Sequence, residues 1–256
     1  MEKSPEVDKA VVEFLLRMGD NTLVLGHRIS EWCGHSPVLE EDIALANQAL
    51  DLIGQTQLWL GLAGALENKG RSADQLAFLR DAWDFRNVLL VEKDNGDFGN
   101  TMMRQFLFDA WHIEMLKALL KSSNSQIAEI AAKAVKEVAY HLEKSADIVI
   151  RLGDGTELSH QRMQHALDNL WSYTGELFVD DDYDEVVNSA GIAPLPSSLK
   201  HKWDQTINSV LRDATLALPQ TSYVHKGGKK GQHTEFLGHM LAEMQFLQRA
   251  YPGSTW

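Results

Sequence analysis

Residues Gln126–Leu152 run for 27 positions without a Gly or Pro, with Glu137, Tyr140 and His141 near the middle. Within them Ile127, Ile130, Ala131, Ala134, Val138, His141, Leu142 and Ser145 recur at helical spacing, which predicts one long amphipathic helix. The same period continues elsewhere. Helices are expected over Pro5–Glu31, Glu40–Glu67, from Ser72 through Leu89, Thr101–Leu120, Ser159–Phe178, Pro196–Leu218 and Thr234–Ala250. On the second of these, Ile43, Leu45, Ala46, Leu50, Ile53, Leu58 and Leu62 are expected to form the buried side. Asn68-Lys69-Gly70 and Asp94-Asn95-Gly96-Asp97 read as stops and turns. Residues 179–196 should carry one short helix, and 219–233 a polar loop. Almost nothing alternates with a period of two, so the expected class is all-α, with no linker dividing residues 1–256.

Composition narrows the function. A net charge of −12 argues against nucleic acid, whose phosphates are neutralised by Lys and Arg. The single cysteine, Cys33, permits no internal disulfide and no multi-Cys metal site, and it suits a reducing cytoplasm. The opening MEKSPEVDKA lacks the apolar segment of a signal peptide. No run reaches the roughly 18 apolar residues of a membrane span.

The acidic residues form a weak two-fold repeat. Asp20 precedes Asp51-x-x-Gly54 by 31 positions, and Asp109 precedes Glu137-x-x-Tyr140 by 28. A helix, a short turn and an antiparallel return would bring each pair level, so four acids are expected to converge in a bundle core. In four-helix di-metal carboxylate proteins two Glu-x-x-His pairs and two further carboxylates bind the metals. Gly54 and Tyr140 stand at the His positions here, and three of the four acids are the shorter Asp. The expected outcome is a buried polar network rather than a metal centre, with His27, Arg28, Arg104 and His141 as partners for the acids. Glu157-x-x-His160 falls at a helix start, where a first-turn Glu favours the helix dipole. Asp109-x-x-His112 has no matching second pair and reads as a cap or a core hydrogen bond. The seven Trp are spread at helical spacing, as core or interface residues.

Several stretches together carry a family resemblance: Leu16–Leu25, Ser30–His35, Asp42–Asn47, Asp109–His112, Lys136–His141 and Gly227–Glu235. They span nearly the full length. The chain resembles the structural C subunits of phenylacetyl-CoA 1,2-epoxidase complexes, within the ferritin-like di-iron superfamily. The resemblance implies a ferritin-like four-helix bundle with extra C-terminal helices. It further implies a non-catalytic subunit that binds no cofactor itself and supports a homologous catalytic A subunit. That partner would hold the di-iron centre where O2 and phenylacetyl-CoA become a ring epoxide. Further subunits and a reductase complete the expected complex, and the chain alone should self-associate. The rival expectations are a free-standing di-metal oxygenase with an unusual ligand set, or a homodimeric ferritin-like scaffold.

Lys226, Lys229 and Lys230 crowd a glycine-rich loop on an otherwise acidic chain, directly before a helix start at Thr234. The loop is not a Walker motif. It is expected to be solvated, or to contact either the phosphates of a coenzyme A ester or an acidic surface of the partner.

Overall fold

The computed structural model describes residues 5–254. Residues 1–4 of the amino-terminal reading and the last two residues lie outside them. In chain order the α-helices are α1 (Pro5–Ser30), α2 (Leu39–Leu66), α3 (Ala73–Phe78), α4 (Leu89–Glu92), α5 (Phe98–Leu119), α6 (Ser125–Gly153), α7 (Glu157–Thr174), α8 (Asp182–Ser189), α9 (Lys200–Asp213), α10 (Glu235–Met244) and α11 (Phe246–Ala250). Among the described residues there is no strand. The four long helices α1, α2, α5 and α6 form the bundle. Helices α7 to α9 pack on it, chiefly against α5, α6 and α1.

Side-chain caps account for several helix starts. Asp97 accepts the Asn100 amide ahead of α5, and Asn124 accepts the amides of Gln126 and Ile127 ahead of α6. Thr156 and Ser159 form a reciprocal cap that starts α7 two residues before the expected position. Helix α9 stops at Asp213, short of the expected Leu218. Thr215 turns left-handed at φ 58°, and the Leu216 amide reaches back to the Leu211 carbonyl at 2.9 Å, closing the last turn.

Two expected helices are broken. The stretch from Ser72 to Leu89 divides into α3, a 3-10 turn over Ala82–Asp84, and an extended link into α4. The cause is tertiary. Arg80 turns inward onto Asp20, and the Arg86 amide donates to the same carboxylate at 2.8 Å. The carboxy-terminal helix divides at Gln245, whose buried amide donates to the carbonyls of Ala77 and Arg80, both at 3.0 Å. Satisfying those carbonyls fixes Gln245 against the turn rather than within a continuous helix.

Helices α1 and α2 lie antiparallel and very close. The Thr22 and Thr56 hydroxyls meet at 2.8 Å, and Gly26 abuts Leu52 and Ile53. A Cβ on Gly19 would stand 2.5 Å from the Leu60 side chain, so glycine permits the approach. Buried apolar side chains from the bundle and from α7, α9 and α10 join in one core cluster.

Candidate functional site

The helix pairing decides where the four acids fall. With Thr22 facing Thr56, Asp20 is level with about Leu58, and Asp51 lies about 11 Å away along the axis at 1.5 Å per residue. On the other pair, Ser145 donates to Asp109 at 3.0 Å, which leaves Glu137 displaced by about 12 Å. The expected convergence of Asp20, Asp51, Asp109 and Glu137 therefore does not occur. Spacings of 31 and 28 fall short of the separation of about 38 and 36 that these registers require at Asp20 and Asp109, because each helix runs further before the chain turns back.

Each acid has its own partner. Asp20 is fully buried and is held bidentately by Arg80, with the Arg86 amide as a third donor. Asp51 accepts from His141 Nε2 at 3.0 Å on the half-open α2–α6 border. Glu137 accepts from Gln55 at 2.9 Å in the same antiparallel register. Asp109 is fully buried between Gln105, at 2.7 Å, and Ser145. Of the partners expected from sequence only His141 serves. Arg28 and Arg104 donate chiefly to backbone carbonyls, and Arg80 was not foreseen.

Gly54 and Tyr140 do not face the bundle interior. A Cβ on Gly54 would meet nothing within 4 Å, and Tyr140 is 57% exposed. The inward imidazoles are instead His141 on α6 and His112 on α5, respectively 1% and 0% exposed. Gln48, Gln55 and Gln105 are likewise buried in the bundle. The Gln48 amide nitrogen, both ring nitrogens of His112 and Nδ1 of His141 have no protein partner. Among the described residues no three His, Cys, Asp or Glu side chains meet at metal-ligand geometry.

Burial sets the charge state of these interior groups. It pushes the Asp109 carboxyl up to about 8, against the lowering effect of the hydrogen bonds from Gln105 and Ser145. Burial pulls His112 down to about 3, with nearby His141 acting in the same direction. His141 is also lowered by burial, against the raising effect of Asp51. At neutral pH the deep layer thus holds a protonated acid and a neutral imidazole. A di-iron centre needs several ionised carboxylates and two paired imidazoles around one point, and the residues present do not fit it.

The lysine loop divides. Lys229 folds inward and donates to Asp184 at 2.9 Å and to the Val179 carbonyl at 2.8 Å. Arg17 binds the same Asp184 at 3.2 Å and Asp181 at 2.7 Å. Buried Glu176 ties the loop down further, accepting the Gly227 and Leu89 amides at 2.7 and 2.8 Å. A Cβ on Gly228 would strike the Asn87 carbonyl at 2.2 Å. Lys229 is therefore a structural strut, and the expectation of a fully solvated loop is corrected. Lys226 and Lys230 are exposed.

Helix α2 departs furthest from its sequence reading. Leu45 and Leu62 are buried as expected, but Ile43, Leu50 and Ile53 are 54%, 68% and 38% exposed. The helix is apolar nearly all round, and sequence periodicity could not assign its buried side.

An all-α bundle of four long helices with further helices packed on it towards the carboxy terminus defines the class of the protein as ferritin-like. The family model described as "Phenylacetic acid catabolic protein" matches residues 1–256, and the chain belongs to that family. It is 49% identical over 243 residues to the C subunit of 1,2-phenylacetyl-CoA epoxidase from Escherichia coli (strain K12), a match covering 95% of this chain and 98% of the relative.

Proposed function

We propose that this chain is the non-catalytic structural subunit of a multicomponent phenylacetyl-CoA epoxidase, working in the cytoplasm beside a homologous catalytic A subunit. The observation that carries this reading is the geometry of Gly54 and Tyr140. Both stand on the outside of the bundle, while the four acids are separated and individually satisfied. The name of the similar protein supports the assignment to an epoxidase complex. On this reading the di-iron centre belongs to the A subunit, and this chain binds no cofactor. Further subunits and a reductase complete the assembly. Exposed Lys226 and Lys230 contribute positive charge toward the acyl-CoA phosphates or toward an acidic face of a partner.

The test is iron content and turnover. The purified chain should carry no stoichiometric iron and should not epoxidise phenylacetyl-CoA with a reductase present, whereas its complex with the A subunit should do both. Two irons per isolated chain, with a di-iron optical signature, would overturn the reading. Tyr140→His should leave the isolated chain without iron, because that side chain points outward.

A further inference from the structure

The outer face of α2 is more regular than scattered surface hydrophobics would be. Leu39, Ile43, Ala46, Leu50, Ile53 and Gln57 are separated by four, three, four, three and four residues. Leu39, Ile43, Leu50 and Ile53 are 70%, 54%, 68% and 38% exposed, and Ala46 is half-buried. Alternating steps of three and four are the spacing of a helix–helix seam, in which side chains of one helix insert between those of another. Isolated exposed leucines need no explanation, but a continuous apolar row does. The apolar part, Leu39 to Ile53, extends about 21 Å at 1.5 Å per residue, and Gln57 ends the row. The row continues into a groove of about 490 Å³ between α2 and α6, lined by Leu58, Gly61, Ala65 and Ile130 together with Glu129 and Lys133. A Cβ on Gly54 or Gly61 would meet nothing within 4 Å, so a second backbone can come close there. Tyr140, one residue from the His141–Asp51 contact, stands beside the row with its ring 57% exposed.

Charge selects the occupant. Over its 28 residues α2 contains Glu40, Glu41, Asp42 and Asp51 and no Lys or Arg. Glu40 and Asp42 flank the seam, and Lys144 neutralises Glu41 from the inside. A second copy would set the α2 acids against another cation-free α2, with only Lys133 and Lys136 of α6 to answer them, on a chain that itself carries a net charge of −12. A helix of a different subunit with Lys or Arg beside its own apolar seam answers both the spacing and the charge.

We propose that the outward row from Leu39 to Gln57, with Tyr140 beside it, is the docking seam for a basic-flanked helix of the catalytic A subunit. This rests on the function proposed above, and it gives the outward positions of Gly54 and Tyr140 a use. Both belong to the docking face rather than to a vestige of a metal site.

The experiment uses the full chain co-expressed with the A subunit, with the dissociation constant measured on purified proteins. Leu50→Glu combined with Ile53→Glu should weaken assembly by at least about 100-fold, as loss of two central apolar anchors does. Because Ile53 also packs on Gly26 of α1, the isolated variant should melt somewhat lower, and the affinities are compared at a temperature where circular dichroism shows both chains folded. Trp83→Ala, at a side chain that is 68% exposed and lies in neither the row nor the groove, should assemble like the wild type. Glu40→Lys combined with Asn47→Lys should weaken assembly by about tenfold at low salt, with the deficit shrinking at high salt. Wild-type affinity in the Leu50/Ile53 variant overturns the seam. Unchanged or tighter binding in the Glu40/Asn47 variant overturns the basic partner. Self-association that the Leu50/Ile53 variant abolishes while binding to the A subunit persists would assign the row to a second copy and also overturns the proposal. If the wild-type chain itself does not bind the A subunit, the proposed function fails together with the seam, an outcome distinct from the others.

Discussion

Replacing Asp109 by Asn should remove a pH dependence from the stability of this chain. In the unfolded chain an Asp carboxyl titrates near about 3.9. In the fold burial holds Asp109 protonated up to about 8. Between those values the folded state binds one more proton than the unfolded state, so stability falls as pH rises. The slope for one such proton is about 1.4 kcal/mol per pH unit. His27, His112 and His141 act with the opposite sign, because burial lowers all three. Their contributions approach completion only about a pH unit above 6.5, but they are the same in wild type and variant and cancel between the two. From pH 6.5 to about 8 the difference due to Asp109 amounts to about 2 kcal/mol. Asparagine keeps the shape, and its amide suits the neutral pattern. It can accept from Gln105 and donate to the Ser145 hydroxyl, which has the Leu142 carbonyl at 3.3 Å for its own proton. Urea unfolding of wild type and Asp109→Asn at pH 6.5, 7.25 and 8.0 measures the difference directly. The wild type should lose about 2 kcal/mol relative to the variant across that range. Parallel profiles would mean that Asp109 is ionised in the fold, and the description of a neutral deep layer would be wrong.

Lys229→Ala should destabilise the chain by about 1–3 kcal/mol in chemical denaturation, because buried Asp184 then keeps Arg17 as its one cation, beside the Asp181 amide. Lys226→Ala and Lys230→Ala should fall within about 0.5 kcal/mol of wild type, and equal losses at all three would refute the division of the loop. Gly64→Ala should lower stability by about 1–3 kcal/mol, since its Cβ would press to 2.1 Å from the Arg71 carbonyl. Gly54→Ala should instead stabilise the isolated chain by about 0.5–1 kcal/mol through helix propensity alone, and thermal melts of the two variants would separate the cases.

Local pattern determined much of this protein. The 3.6-residue period of Ile127, Ala131, Ala134, Val138 and His141 specifies α6 to within a residue or so at each end, because an apolar stripe at that spacing can be buried only by a helix. The broad outlines of α1, α2, α5 and α7 follow for the same reason. The presence of acids on all four bundle helices was equally legible. The level at which facing helices meet was not. Thr22 against Thr56, and Asp109 against Ser145, are choices of axial register made by side chains distant in sequence, and they place Asp20 and Asp51 at different heights. Nor does any local signal reveal that Arg80 crosses 60 positions to Asp20, breaking a helix that its own neighbours favour. The same holds for α2. Its apolar residues on nearly every face establish that it is a helix, and only the bodies packed around it decide which leucines are core and which remain for a partner. Periodicity is a property of one segment, whereas register, ion pairing and the exposed side of an all-round apolar helix are relations between segments. Those relations exist only once the chain has closed on itself.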